Sequence, residues 1–237
     1  MKNDEFKRLN VYIAESTSLS RRKSDEAIEN RRVFVNGKLA KLGDKIGVND
    51  IVTLDGIIIE PYEKNSTYVL NKPKNYVCSN EDPHCKHFAR SLIRVEEQER
   101  LHSIGRLDKD SEGLILFTTD GKLTEKITHP RNGIEKEYYV KATNQITPSD
   151  VKKLKEGVVD KGERLHVKSV DIMSNKEALI VLDEGKNREI RRLFEHLNNP
   201  VIQLVRLRIG GYSLPTNLPQ GAFRKLSDSD ISKIFNK

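Results

Sequence analysis

A short segment of the sequence, residues 105–121, combines ionisable side chains and glycines with an apolar run. Arg106 stands two residues before Asp108, and residues 114–118 are apolar or β-branched. This run has the length of a strand and ends at a turn at residues 120–121, so it predicts a buried strand that follows a loop. A cation close to Asp108 would favour the ionised carboxylate. The segment therefore predicts Asp108 as a catalytic nucleophile or base at the edge of a sheet.

The same loop permits two simpler interpretations. Asp108, Asp110 and Glu112 alternate before Gly113 as in the start of a calcium-binding loop. The twelfth position, however, holds Thr119 where such a loop needs a bidentate Glu. A loop whose charges only face solvent is the other alternative. Arg106, two residues before Asp108 and between apolar residues, favours the catalytic interpretation over a loop that only faces solvent.

Four further stretches accompany this loop in the sequence. The five stretches occupy residues 70–73, 105–114, 136–140, 184–194 and 223–227. In this order they resemble the signature of the RsuA/RluB/RluF group of pseudouridine synthases. The resemblance implies an enzyme that isomerises a specific uridine in ribosomal RNA, with large-subunit RNA favoured and no cofactor or metal. Ribosomal RNA or a ribosome assembly intermediate is then the expected partner, and transfer RNA stays open as a second substrate.

The resemblance also implies roles for individual side chains. Asp108 acts as a nucleophile at C1′ or as a base at the sugar. Tyr138 stacks against the flipped base, and a basic residue of the stretch 184–194 pairs with Asp108. Helical spacing selects Arg191 for this pairing, because it lies roughly 110° from the centre of the apolar stripe of its helix.

Contacts with RNA are expected from several basic residues. Arg188 and Arg192 point farther from the apolar stripe than Arg191 and suit phosphate contacts. Arg106 would stack in the space that a flipped nucleotide leaves behind. Lys72, in the stretch that opens the domain, is a further expected RNA-binding residue.

The first 62 residues have a pattern of their own. Residues 8–36 predict a helix, a turn, a second helix capped by Ser18 or Ser20, and a strand. Asn36 and Gly37 then predict a hairpin. This pattern resembles the alpha-L RNA-binding module first recognised in a small-subunit ribosomal protein. The resemblance implies contacts with RNA phosphates by three residues at the second helix: Arg21, Arg22 and Lys23.

A polar segment around Pro61 predicts a linker, which gives domains at residues 1–62 and 66–237. The second domain has strands predicted at 67–71, 112–118, 135–142, 165–173, 176–183 and 201–209. Its helices are predicted at 121–128, at 148–157 with Thr147 as N-cap and Pro148 at the first position, at 187–198 and at 228–236. Strands with inserted helices, without a regular alternation, favour an α+β fold with a central mixed, largely antiparallel sheet. The family resemblance implies the same fold.

Composition narrows the class of protein. The net charge is +7, and basic residues gather at positions 21–23, 31–32 and between 186 and 208, which favours a polyanionic partner. The polar start of the chain and the absence of an apolar run of about 18 residues predict a soluble, cytoplasmic protein without membrane association. We expect a monomer.

The sequence has two cysteines, Cys78 and Cys85, which we expect to be free thiols in a reducing compartment. With His84 and His87 they offer four soft ligands for zinc. Their spacing matches no standard zinc module, so a polar loop is the favoured interpretation and no metal site is predicted.

Two other functions use the same residues. The chain could be a ribosome-associated RNA-binding protein whose synthase domain is inactive, although the intact set of Asp108, Tyr138 and Arg191 argues against this. Asp108 and Glu112 could instead form the carboxylate pair of a glycoside hydrolase, which requires about 5 to 9.5 Å between them. The sequence contains no tryptophan, a residue that often lines sugar sites.

Overall fold

The computed structural model describes residues 6–79 and 85–236. The chain divides into two compact units, one ending at Asn65 and the other beginning at Ser66. The sequence predicts domains that end at residue 62 and begin at residue 66, so the expected linker residues group with the smaller unit. Within the described ranges, no helix has the length and hydropathy needed to cross a lipid bilayer.

The smaller unit packs two helices against short antiparallel strands. Its helices are α1 (Leu9–Ser16) and α2 (Arg21–Glu29), and its strands are β1 (Lys7–Arg8), β2 (Val33–Val35), β3 (Lys38–Leu39), β4 (Lys45–Ile46), β5 (Val52–Leu54) and β6 (Ile57–Ile58). The strands form a sheet of order β3-β2-β5-β6 and a separate β1-β4 pair. The core that the helices and strands share consists of Leu9, Ile13, Ala27, Ile28, Val33, Ala40, Ile46 and Val52.

Local sequence signals explain most of this unit. Ser20 is the N-cap of α2, because its side chain accepts a hydrogen bond from the Lys23 backbone N–H. Asn36 and Gly37 both have positive φ, as the two central residues of a tight hairpin turn require. The sequence predicts two strands, at 48–54 and 57–59, around a turn at Asp55 and Gly56, but the first of these strands begins only at Val52. Residues 47–50 form a turn instead, in which the Asp50 carboxylate accepts a hydrogen bond from the Gly47 N–H at 2.7 Å.

The larger unit is built on a mixed sheet. Its strands are β7 (Thr67–Lys72), β8 (His102–Ile104), β9 (Glu112–Thr118), β10 (Lys136–Ala142), β11 (Val158–Asp160), β12 (Glu163–Leu165), β13 (Ser169–Ser174), β14 (Glu177–Leu182), β15 (Val201–Ile209), β16 (Tyr212–Ser213) and β17 (Phe223–Lys225). Its α-helices are α3 (Gly121–Thr128), α4 (Pro148–Glu156), α5 (Glu189–His196) and α6 (Asp228–Phe235), and short 3-10 turns occupy Ala89–Leu92, Gln98–Arg100 and Pro130–Asn132.

The sheet has the order β13-β14-β10-β15-β9-β7-β17, with β16 added to β15 and β8 added to β9. Its pairings are antiparallel except for the parallel pair of β9 and β15. The predicted α+β class with a mixed, largely antiparallel sheet is therefore confirmed. All seven residues of β9 are buried, because strands flank it and side chains cover both of its faces.

Two predicted elements differ from the structure. The predicted strand at 165–173 is divided: β12 pairs with β11 in a hairpin, and β13 begins only at Ser169. The predicted helix at 187–198 begins at Glu189 and ends at His196. Arg188 precedes this helix in the left-handed region, with φ of 49°. The hairpin places acidic residues against Arg192, and the later start of the helix leaves Arg188 outside it.

Gly113 marks the point of closest approach between β9 and β15. It lies opposite Arg206 in the parallel register, and its φ of 95° belongs to the region that favours glycine. A Cβ atom here would overlap the carbonyl oxygen of Arg206 and lie 2.9 Å from its nitrogen. Only a residue without a side chain lets the two central strands pair at this position.

Gly113→Ala should therefore lower the free energy of unfolding by more than about 2 kcal/mol, since backbone strain and a steric overlap both act. Gly162→Ala is the matched control, because Gly162 also has positive φ but nothing within 4 Å of an added Cβ. We expect a loss of about 1 kcal/mol there. Urea denaturation measures both values, and equal losses would contradict the close approach of the strands.

Candidate active site

A cleft of about 430 Å³ opens in the larger unit beside the central strands. Asp108 and Tyr138 both line it, together with Arg106 and Arg188. Asp108 lies in the loop before β9, Tyr138 lies on β10, and Arg188 is the residue immediately before α5. Three separate parts of the sequence therefore meet in one concave site, as small-molecule and base-binding sites require.

The loop that carries Asp108 is held from behind by backbone hydrogen bonds. The Leu107 N–H donates to the Cys78 sulfur at 3.4 Å, and the Asn75 N–H donates to the Lys109 carbonyl at 2.7 Å. The Ser111 N–H donates to the Asp108 carbonyl at 3.1 Å. These contacts fix the backbone on both sides of Asp108 and leave its carboxylate partly exposed to the cleft.

Arg188 is the cation nearest to the Asp108 carboxylate among the described residues, with Nη1 3.9 Å from Oδ2. The same nitrogen lies 3.3 Å from Oδ1 of Asp110. The predicted direct pairing of Arg191 with Asp108 is therefore wrong. The helix begins one residue after Arg188, so the left-handed backbone at Arg188 turns its side chain toward the loop instead of outward along the helix.

Arg191 supports the loop from inside. Its Nε lies 3.3 Å from Oδ2 of Asp110, and its other nitrogens donate to the carbonyls of Asp110 and Val201 and to the Ser111 hydroxyl. Its side chain is 8% exposed. Arg191, at the side of the apolar stripe of α5, is thus buried against a carboxylate as expected, but the carboxylate is that of Asp110 and not that of Asp108.

Arg192 does not fit the predicted phosphate contact. Its side chain is 10% exposed and pairs with Asp160 and Glu163. These two acids lie on β11 and β12, the hairpin that the sequence did not predict. The hairpin covers the helix face that was expected to meet solvent, so Arg192 is a buried structural cation.

Lys72 is also buried, which contradicts its predicted contact with RNA. It is 0% exposed, and its ammonium donates to the carbonyls of Pro73 and Tyr76. Desolvation lowers the pKa of Lys72. Lys72 is the last residue of β7, an interior strand of the sheet. Its side chain is therefore enclosed, and its ammonium group is satisfied by the carbonyls of the turn that follows.

Arg106 is exposed and lines the cleft. Within the described part of the chain Arg106 forms no ion pair with Asp108, and the cation that pairs with this carboxylate is Arg188 instead. Residues 106 and 108 alternate around the buried Leu107, which separates their side chains. In the smaller unit, Arg21, Arg22 and Lys23 are all exposed in the first turn of α2.

Both parts of the chain are similar to known proteins. The family model described as RNA pseudouridylate synthase matches residues 66–196, and the S4 domain model matches residues 7–52. The dual-specificity RNA pseudouridine synthase RluF of Escherichia coli is 38% identical, over 98% of this chain and 79% of its own length. Ribosomal small subunit pseudouridine synthase A of Haemophilus influenzae is 32% identical, over 96% of this chain and 99% of its own.

A crystal structure of a pseudouridylate synthase has a TM-score of 0.71 and 31% identity, and the match covers 96% of this chain and 99% of that chain. This chain belongs to the RNA pseudouridine synthase family. The resemblance of the five sequence stretches to that family is thereby confirmed. The synthase also carries an S4 domain at its N-terminal end.

Three cations of the synthase cleft were not predicted as site residues: Lys136, Lys186 and Arg206. Lys186 is paired with Glu184, whereas the other two have no carboxylate partner among the described residues. Lys136 and Arg206 line the cleft, but sequence reasoning passed over Lys136 and counted Arg206 only within a basic group. A signal was available for each. Lys136 alternates with Tyr138 and therefore shares its face of β10, and Arg206 interrupts a largely apolar strand.

Glu184 and Glu189 also line the cleft. Glu189 is 3% exposed, and its Oε2 accepts a hydrogen bond from the Lys186 N–H at 2.9 Å. Burial, together with the nearby charge of Glu184, raises the pKa of Glu189 to about 7. In its protonated form Glu189 can donate a hydrogen bond to Glu184.

His166, Glu184 and Glu189 bring one potential ligand atom each within 4.8 Å of one another, which among the described residues makes them a possible metal group. The Lys186 ammonium already lies 2.5 Å from Oε1 of Glu184, and a protonated Glu189 is a poor ligand. We therefore assign no metal to this group. Of the four residues weighed for zinc, His84 lies outside the described residues, and the Cys78 sulfur contacts the Asp108 loop.

The raised pKa of Glu189 predicts a pH-dependent stability. The folded state binds a proton at Glu189 that the unfolded chain, with its ordinary value of 4.5, has already lost. This contribution to stability is therefore fully present below about pH 4.5 and disappears as the pH rises through about 7. Glu189→Gln should remove this component of the pH dependence.

Urea denaturation between pH 4.5 and 8 measures the difference in unfolding free energy between wild type and variant. The wild type should lose stability relative to Glu189→Gln as the pH rises. Glu195→Gln, at an exposed position of the same helix, is the control and should show no such trend. A difference that stays constant with pH would contradict the assignment.

Proposed function

We propose that this synthase isomerises a specific uridine in ribosomal RNA to pseudouridine, with Asp108 acting on the sugar. The observation that carries the proposal is a single cleft lined by both Asp108 and Tyr138. Membership of the family supplies the reaction type. The name of the Haemophilus influenzae relative, which specifies the ribosomal small subunit, supports ribosomal RNA as the substrate.

The proposed reaction is an isomerisation and balances without an oxidant or reductant. The bond from C1′ to N1 breaks, and uracil leaves with the bonding electron pair. Asp108 either forms a bond to C1′ or removes a proton from the sugar at this stage. The detached uracil then rotates, and C5 forms a bond to C1′ as the Asp108–C1′ bond breaks or, in the other route, as the sugar regains its proton from Asp108. The proton on C5 is then lost, and N1 gains a proton.

Arg188, rather than Arg191, is the cation we propose to act beside Asp108, because its guanidinium lies between the Asp108 and Asp110 carboxylates. Arg191 then acts indirectly, by holding the Asp110 end of the loop. We propose Tyr138 as a wall against which the flipped base stacks. Arg106, exposed at the cleft, is suited to fill the gap that the flipped nucleotide leaves in the RNA.

Asp108→Asn should lower single-turnover pseudouridine formation by at least about 10³-fold, because the amide is neither a nucleophile nor a base. Affinity for RNA should stay within about threefold, since the change leaves the cleft shape intact. Asp171→Asn, at an exposed position on β13, is the control and should keep normal turnover. Near-normal product from Asp108→Asn would refute the proposed role.

The substrate is identified by mapping pseudouridines in both ribosomal RNAs and in transfer RNA from cells with and without the gene. A site that disappears with the gene, and returns with wild type but not with Asp108→Asn, should lie in ribosomal RNA. Loss confined to transfer RNA would contradict the proposed substrate. Loss of no site at all would favour the inactive RNA-binding alternative.

The exposed residues Arg21, Arg22 and Lys23 of the S4 domain are proposed to bind RNA phosphates. Each lost phosphate contact should reduce the slope of log affinity against log salt by about 0.7 to 0.9, because fewer counterions are released. Replacement of all three by Gln should therefore flatten the salt dependence. The control replaces three other exposed residues of the same unit: Lys38, Lys41 and Lys45. Equal flattening by both triple variants would count against a specific contact at α2.

A further inference from the structure

A buried arginine without a carboxylate partner forms part of the cleft wall. Arg206 is 3% exposed, and its Nε donates to the Leu114 carbonyl at 2.7 Å. Its Nη2 is buried and has no hydrogen-bond partner among the described residues. Burying a cation without a counterion destabilises the folded protein. Since Arg206 lies beside the cleft, its charge can stabilise a negatively charged group in the cleft.

Arg206 lies next to the proposed base-stacking residue. It is directly opposite Tyr138 in the pairing of β15 with β10, and cross-strand partners of this kind project on the same face of the sheet. Lys136, two residues before Tyr138 on β10, shares that face. The cleft therefore has two cations beside the ring against which uracil would stack.

The two charges affect each other in the folded protein. Burial lowers the pKa of Lys136, and the positive charge of Arg206 lowers it further. Three acids, Asp183, Glu184 and Glu189, act in the opposite direction. Within residues 6–79 and 85–236, neither Lys136 nor Arg206 forms an ion pair shorter than 4.0 Å, so their field remains available to a negatively charged group in the cleft.

We infer that Lys136 and Arg206 stabilise the uracil anion that exists between cleavage of the C1′–N1 bond and formation of the C5–C1′ bond. The inference rests on the proposed function. Whether Asp108 attacks C1′ or removes a sugar proton, the electron pair of the broken bond leaves with N1, and the charge spreads over the ring and its two carbonyl oxygens. Fixed cations in a site of low dielectric stabilise such a charge strongly, because they need no reorganisation.

The inference is tested with Arg206→Gln, Arg206→Lys and Lys136→Met on an unmodified ribosomal RNA transcript. Each loss of charge should lower the single-turnover rate about 10- to 1000-fold, while RNA affinity changes by less than about threefold. Arg206→Lys should recover part of the rate. Arg90→Gln is the matched control, because Arg90 also donates to a backbone carbonyl, that of Glu99, but does not line the cleft.

A second substrate separates charge stabilisation from a structural role. In a transcript with 5-fluorouridine in place of uridine, the detached base is a more stable anion, so loss of the starting nucleoside depends less on the two cations. The deficits of Arg206→Gln and Lys136→Met should be at least about threefold smaller on this RNA. Deficits of equal size on both RNAs would overturn the inference.

If Arg206→Gln fails to fold, Lys136→Met decides the question, because the Lys136 side chain forms no hydrogen bond or ion pair with another described residue. Failure of the proposed function is distinguishable from failure of the inference. A wild-type protein that converts no uridine in any RNA would overturn both. Normal wild-type conversion with undiminished rates in the charge-removing variants would overturn the inference alone.

Discussion

The parallel pairing of β9 with β15 is the constraint on which the rest of the site depends. It occurs where Gly113 meets the Arg206 backbone, at a separation that leaves no room for a Cβ atom. Because the Asp108 loop leads directly into β9, this pairing brings the loop over β15. Since β10 is the other neighbour of β15, Tyr138 then lies across the cleft from the same loop.

The sequence predicted the parts of the fold that local patterns control. The buried run of β9, the Thr147 cap with Pro148 at the start of α4, and the turn at Asn36 all depend on neighbouring residues. The structure has them where they were expected. The β11–β12 hairpin was missed because its strands have three residues each and are too short to show a period. That omission made Arg192 a surface residue in the prediction.

The sequence was a better guide to which residues line the cleft than to which side chains contact each other. Asp108 and Tyr138 could be chosen from motifs, and they do line one cleft. The partner of Asp108 could not be chosen in the same way, because a helical wheel assumes that every residue of a segment is helical. Arg188 has left-handed backbone just before the helix, and its guanidinium, rather than that of Arg191, forms the ion pair with Asp108.

Buried charge in this synthase divides into two classes with different consequences. Arg191 and Arg192 have carboxylates within 3.3 Å, so their charges are neutralised locally and mainly hold α5 to the Asp108 loop and the β11–β12 hairpin. Arg206 donates to the Leu114 carbonyl, and among the described residues no carboxylate forms an ion pair with its guanidinium. A neutralised charge stabilises one arrangement of the protein alone. A charge left without a counterion at a cleft favours whatever negative charge forms there, which is why the unpaired cations rather than the paired ones are the better candidates for assisting the reaction.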